Sequence, residues 1–398
     1  MLKPLACVMA MASLCATWPA YATQYTVTDL GVGFAFTDVD EFGYFPQAIN
    51  DAGEVLASVE TQLMAGSDVY YSRPSVWNGS AWLQMPEISG REGSGWTYWA
   101  NRLNNSGLVV GGVSRTVAEF DDSINADYRG FVWNTRNNTV TLLNAPPYGA
   151  ETSASAINNA GRIVGTMGTS GTGLDVHAMT WENGVYTDLS PGLEAGSSLG
   201  EVINTQGAVA GEHIGPDGTI RAFYQNGATV AYLLPSQGGS DIEVLEMNES
   251  GLVVFNSETA CGDAGCTDIG VIWDAITGTA IEIPHNPWAM LHSAANGVND
   301  LGQVVGRGPD GGAMIWDAVN GIQSLQAYML TSTLGLWEGA DINNAGMIVG
   351  YGGLLDDTRP DSEKEFRILL LTPVPEPGTY ALMLAGLGVL AGLVKRKS

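Results

Sequence analysis

Ile157-Asn158-Asn159-Ala160-Gly161-Arg162-Ile163-Val164-Gly165 is the clearest copy of a phrase that recurs down the chain: an apolar residue, Asn-x-x-Gly, then a short apolar strand that usually ends in glycine. The paired turn residues are Asn50 and Gly53, Asn104 and Gly107, Asn158 and Gly161, Asn204 and Gly207, Asn248 and Gly251, Asn299 and Gly302, and Asn343 and Gly346. Seven copies at steps of 44 to 54 residues, with no heptads and no helical stripe, mark a repeat architecture. Asparagine at the head of a tight turn hydrogen-bonds its own backbone two residues on, and glycine three positions later takes a positive φ without steric cost. Each copy therefore reads as a turn feeding a strand. The glycine that ends the strand, as Gly165, Gly306 or Gly350, belongs where a neighbouring backbone comes close.

Each copy then reaches a second strand ending in an aromatic residue: Trp77, Trp133, Trp181, Tyr224, Trp273 and Trp316. A third strand follows, as in Thr139-Val140-Thr141-Leu142-Leu143, and a fourth runs into the next asparagine, as in Ser153-Ala154-Ser155-Ala156-Ile157. Four strands per repeat, repeated radially, are the blades of an all-β propeller. Copy seven runs out of chain after Phe366 to Leu371, and its missing strand is found at the other end. Thr26-Val27-Thr28-Asp29-Leu30 differs from Thr139 to Leu143 at one position. The expectation is a propeller of seven four-stranded blades whose N- and C-terminal strands share the last blade, removing an open edge. Variable second-strand spacing leaves six or eight blades open.

With 398 residues, 52 glycines, 45% hydrophobic and 15% charged, the chain has the composition of a large turn-rich globule. Its formal charge of −26 disfavours nucleic acid and anionic membrane surfaces as partners. Residues 1–22 carry Lys3, an apolar run from Leu5 to Leu14 and Ala20-Tyr21-Ala22, the layout of a secretory signal peptide. Residues 23–372 form the repeat domain. Residues 373–398 hold Val374-Pro375-Glu376-Pro377, an apolar run from Tyr380 to Val394, then Lys395, Arg396 and Lys397. Fifteen apolar residues fall short of the ~20 of a comfortable membrane span, and the basic cluster keeps its end cytoplasmic.

That tripartite tail closely resembles the PEP-CTERM sorting signal of Gram-negative bacteria. The resemblance implies export through the secretion machinery, a transient stay in the inner membrane, recognition and cleavage by an exosortase, and a final place at the cell surface or outside the cell. Families with this tail are linked to exopolysaccharide and biofilms. The body, through His177-Ala178-Met179-Thr180-Trp181, Arg221-Ala222-Phe223 and Thr187-Asp188-Leu189, is similar to the extracellular HAF repeats, named for a His-Ala-Phe triplet. That family brings no catalytic activity to transfer.

Cys261 and Cys266 are the cysteines left after the leader, and in an oxidising compartment a Cys-x-x-x-x-Cys pair in a Gly-rich loop reads as a disulfide. Gly196-Ser197-Ser198-Leu199-Gly200 matches G-x-S-x-G but lacks the strand-to-helix setting of a nucleophile elbow. Of His177, His213, His285 and His292, His177 sits at a repeat position where packing is the expected duty, His285 and His292 flank Pro287 and Trp288 in an inter-blade link and are open as ligands or neither, and no H-E-x-x-H occurs. The long links between the strand after each turn and the aromatic-ending strand are acidic: Glu119, Asp121, Asp122 and Asp127; Asp263 and Asp268; Asp356, Asp357, Asp361, Glu363 and Glu365. Propeller topology puts such links on one face, where oxygen ligands such as Asp356 and Asp357 suit Ca²⁺. A solvated acidic rim with no ion is the plainer reading of them and stands ahead of the calcium one. The reading is a non-enzymatic surface or matrix protein that binds polysaccharide or another surface component. The alternative is a propeller hydrolase or lyase acting on extracellular polysaccharide.

Overall fold

The computed structural model describes residues 24–35, 46–62, 70–92, 96–115, 128–144, 151–168, 176–235, 239–259, 267–284, 292–330, 333–355 and 365–374. Seven four-stranded antiparallel sheets form a propeller. The innermost strands are Pro46–Ile49, Trp96–Leu103, Glu151–Ile157, Ser197–Ile203, Ile242–Met247, Ala294–Val298 and Leu334–Ile342, in blades one to seven. Each touches the next and the seventh touches the first, so the seven enclose a channel.

Six blades are continuous pieces of chain, and the seventh is built from both ends. Tyr25–Ala35 lies outermost against Glu365–Pro373, with Tyr25 opposite Pro373 and Thr28 opposite Leu370. The N–H of Val374 donates to the Gln24 carbonyl at 2.9 Å, so the pairing extends to Val374. Tyr25 is 2% exposed and anchors the join in the apolar layer between blades six and seven. Burial, with Tyr328 nearby, pushes its phenol up to about 12.

The core is cut into seven apolar layers, one per seam between neighbouring blades. Strand alternation explains how each blade feeds two of them. Trp133 packs toward blade one and Trp273 toward blade four, so this position faces the preceding blade. Tyr224 departs from the sequence expectation. It lies one residue short of the tryptophan register, since Ile163 opposes Trp181 and the equivalent Val209 opposes Gln225. One residue along a strand reverses the side chain, so Tyr224 packs toward blade five and Gln225 takes the tryptophan position.

Each innermost strand bulges just before its asparagine, for example between Ala154 and Ala156. The bulge presses backbone against the second strand. A Cβ on Gly165 would sit 2.0 Å from the Ser153 carbonyl oxygen, and one on Gly306 the same distance from that of Ala294.

Candidate functional site

On the face where the innermost strands end, all the polar groups of Asn158 are used. Its Oδ1 accepts the N–H groups of Ala160 and Arg162 at 3.1 and 2.9 Å, and its carbonyl accepts Gly161 N–H at 3.0 Å, with Gly161 at φ +87°. Its Nδ2 donates to the Asn204 carbonyl at 2.9 Å. The same step joins Asn50 to Asn104, Asn104 to Asn158, Asn248 to Asn299, Asn299 to Asn343, and Asn343 back to Asn50. Between copies four and five, Thr205 donates through its N–H and hydroxyl to Glu249. A second belt lies beside the first, in which Asp51, Asn105, Glu249, Asp300 and Asn344 each donate a backbone N–H to the side chain one copy on.

The belts surround a cavity of about 150 Å³ at the mouth of the channel. Two residues before the asparagine, Ala48, Arg102, Ala156, Glu246 and Asp341 line it, while the equivalent residues of blades four and six, Val202 and Gly297, do not. Arg102 leaves blade two and crosses the ring to blade five, placing Nε 3.1 Å from Glu246 and donating to the Leu245 carbonyl. It also donates to the Gln47 carbonyl of blade one at 3.4 Å. Asp341 accepts the N–H groups of Ile49 and Ile342 at 2.8 and 2.7 Å. Burial, with Glu246 nearby, raises its carboxyl to about 7 against the pull of Arg102.

The wall of blades four and five carries further carboxyls. Glu201 is raised to about 7 by burial, opposed by a Ser155 hydrogen bond and by Arg102. Glu212 is raised to about 8 by burial and by Glu201, although it accepts the Val244 N–H at 3.3 Å. Glu243 is also pushed up, by burial and then by Asp268 and Asp241. Elsewhere amides bridge the blades, with Asn101 donating to the Ala154 carbonyl and Asn296 to that of Gly339, both at 2.9 Å. Towards the opposite face in blade two, half-buried Trp99 meets Tyr128 edge-on at 6.2 Å, and Arg91 lies 4.4 Å over Trp96.

Residues singled out in the sequence have local duties. Ser198 is 1% exposed within an innermost strand, where its Oγ accepts the Ala178 N–H at 2.9 Å. Thr152 and Ser293, at the equivalent place, do the same for Gly130 and Gly270. His177 pairs with Asp188 at 2.9 Å, buried His213 contacts the Glu194 carbonyl and Tyr232, and His292 accepts the Asp268 N–H. Cys261, Cys266, His285, Asp356 and Asp357 lie outside the described residues, as do residues 1–23, where the signal peptide is expected, and the chain from Pro375 onward. Among the described residues no group of three or more His, Cys, Asp or Glu is placed to hold a metal, and no helix is long and apolar enough to cross a membrane.

Sequence reading did not pick out Arg102, Glu246, Asp341, Glu201, Glu212 or Gln225. Aligning the seven copies on their asparagines would have exposed Arg102, Glu246 and Asp341, since a column of small residues breaks to charge in three of them.

Residues 373–397 match the PEP-CTERM protein-sorting motif, which implies an exported, exosortase-processed protein. No curated protein matches the chain. Among solved structures it is similar to the β-propeller domain of the Trilobed protease from Pyrococcus furiosus, at 9% identity and TM-score 0.48, over 90% of this chain and 98% of that one. A protein of unknown function from Dyadobacter fermentans shares 11% identity at TM-score 0.44, over 87% and 99%. A Trypanosoma rangeli sialidase shares 11% at TM-score 0.39, over 89% of this chain and 58% of that one. At these scores the likenesses carry no argument about function.

Proposed function

We propose that this exported propeller is a non-enzymatic binding or scaffolding protein of the cell surface or extracellular matrix, linked to exopolysaccharide. The observation that carries the reading is Arg102, which reaches from blade two to blade five and engages Glu246 across the channel. With the asparagine belts bonded to one another around it, the polar interior is occupied in holding the ring, and ligands are left to the rim, the seams and the links between strands. A glycan-array screen of the mature chain, with product analysis on every hit, tests it. Binding without turnover supports the reading, and release of shortened or unsaturated sugars overturns it in favour of a hydrolase or lyase.

One observation favours that second reading. Glu201 and Glu212 hold their protons near neutral pH in a shared wall, as a general acid requires. Turnover abolished by Glu201→Gln or Glu212→Gln would establish it.

The HAF resemblance belongs to the proposal as well. Its triplets occupy one register, Ala178 opposite Thr166 and Ala222 opposite Glu212, the facing residues Thr166 and Glu212 each standing eight residues after an asparagine. Calcium at Asp356 and Asp357 is proposed as a bridge to acidic polysaccharide. Calorimetry and thermal melts with millimolar calcium test it: a shift lost in Asp356→Asn/Asp357→Asn supports the site, and no heat and no shift rule it out. For the tail, a surface-derived peptide ending at Ser398 would contradict exosortase cleavage.

A further inference from the structure

Two columns of the repeat turn apolar in one sector of the turn face. Opposite the residue five places after each asparagine stand Trp77, Trp133, Trp181, Gln225, Trp273, Trp316 and Leu371. Three positions farther on, blades one to four carry Ser80, Arg136, Gly184 and Ala228, whereas blades five, six and seven carry Ile276, Val319 and Val374. Asp274 and Asp317 accept the N–H groups of Ile276 and Val319 at 3.0 and 2.7 Å, which fixes these two tips in the same kind of turn. The second column is the residue before the turn glycine. It reads Ala52, Ser106, Ala160, Gln206, Ser250 and Ala345, and Leu301 in blade six. Ile276, Leu301 and Val319 are 63%, 59% and 79% exposed.

Exposed apolar side chains also occur at Val185 in blade three and at Tyr128 and Leu355 on the opposite face, so exposure alone does not single out the sector. The exit of the chain does. Pro373 lies against the Asn343 to Gly346 turn, where a Cβ on Gly346 would be 3.4 Å from its Cγ, and Val374 is bonded to Gln24 beside it. Five residues, Pro375 to Thr379, separate Val374 from the apolar run that starts at Tyr380. Fully extended they reach roughly 20 Å, so with that run in a bilayer the turn face of blade seven is held close to the lipid. Asp274 stands by one tip, and Asp300, bonded to Asn344 at 2.8 Å, precedes another. Carboxylates at these places favour headgroups that carry an ammonium and no net negative charge.

We propose that the turn face of blades five and six is a lipid-contact surface, on which Ile276, Leu301 and Val319 enter the headgroup boundary of a zwitterionic, ethanolamine-bearing bilayer while the tail is embedded. This contact does not depend on what the propeller binds elsewhere; it depends on the tail entering a bilayer. To test it, the chain from Thr23 to Ser398 is inserted through its tail into phosphatidylethanolamine–phosphatidylcholine vesicles doped with a lipid whose acyl chain carries a photoactivatable diazirine, and adducts are mapped by mass spectrometry. Adducts are expected on the tail and on the peptides holding Ile276, Leu301 and Val319. The latter should exceed those on the peptides holding Tyr128 and Leu355 by about tenfold, since burying even one exposed aliphatic side chain shifts the population of the contacting pose by that order. The variant Ile276→Ser/Leu301→Ser/Val319→Ser keeps its melting temperature and its tail adducts, and loses those on the turn face. Turn-face adducts that survive in this variant, or adducts equal on the two faces, overturn the contact. Adducts confined to the tail overturn it too, and leave the sector to a protein partner. Absence of adducts anywhere overturns the contact together with the membrane reading of the tail.

Discussion

The turn face and the channel wall are built from the same seven strands and use them in opposite ways. On the turn face Asn50, Asn104, Asn158, Asn204, Asn248, Asn299 and Asn343 recur as one residue type, and the bonds run from copy to copy around the ring. Two positions earlier in each copy the wall changes, with Arg102, Glu246 and Asp341 in three blades and small residues in the others. A job that every blade shares keeps its residue in every copy. A job done once, such as crossing the channel, shows as an exception in a column.

The comparison breaks most severely if the ring is opened. Removing residues 25–35 takes the outer strand from blade seven, unpairs the edge of Glu365–Pro373 and strips Tyr25 from the layer between blades six and seven. Aggregation, or a fall in melting temperature of more than roughly 10 °C, is expected by light scattering and calorimetry. A monomer melting like the parent would show that the ring needs no closure.

Within the belt, Asn158→Ala removes two acceptor contacts and one donor contact at a site 6% exposed. A loss of about 2–4 kcal/mol is expected in denaturant unfolding, since buried N–H and C=O groups are left open. A change below about 1 kcal/mol would demote the belt to decoration.

The wall should announce itself through pH. Glu201, Glu212 and Asp341 titrate higher in the folded ring than the roughly 4 of free carboxyls. Folding therefore binds protons, and the stability this contributes is full below about pH 4 and is lost as pH rises through 7 to 8. Melting temperature should fall from pH 5 to pH 8.5, and Glu212→Gln should flatten that fall. An identical pH profile in the variant would place the effect elsewhere.

The smallest change tests the serine. Ser198→Ala leaves the Ala178 N–H without its acceptor, for about 1 kcal/mol, and glycan binding should be unchanged. Loss of an activity on a far smaller fall in stability would make Ser198 more than a seam residue.

The period, the turn chemistry and the match of Thr26 to Leu30 with Thr139 to Leu143 determined the all-β class and the shared last blade, because these rest on short-range pattern, and they pointed to seven blades while leaving six or eight open until the structure closed the count at seven. The sorting motif was equally legible, since its order of elements is linear in sequence. Tyr224 was misplaced, because it is the last aromatic of its strand and only the cross-strand pairing shows that Gln225 holds the tryptophan register. The meeting of Arg102 with Glu246, 144 residues apart, was decided by the tertiary structure alone, since angular position around a closed ring is not recorded in local spacing. The same holds for the carboxyls of Glu201, Glu212 and Asp341. Their protons are held chiefly by burial, with neighbouring carboxyls adding to it (Glu243 beside Glu201, Glu201 beside Glu212, Glu246 beside Asp341), and both come into being only when the blades close around the channel.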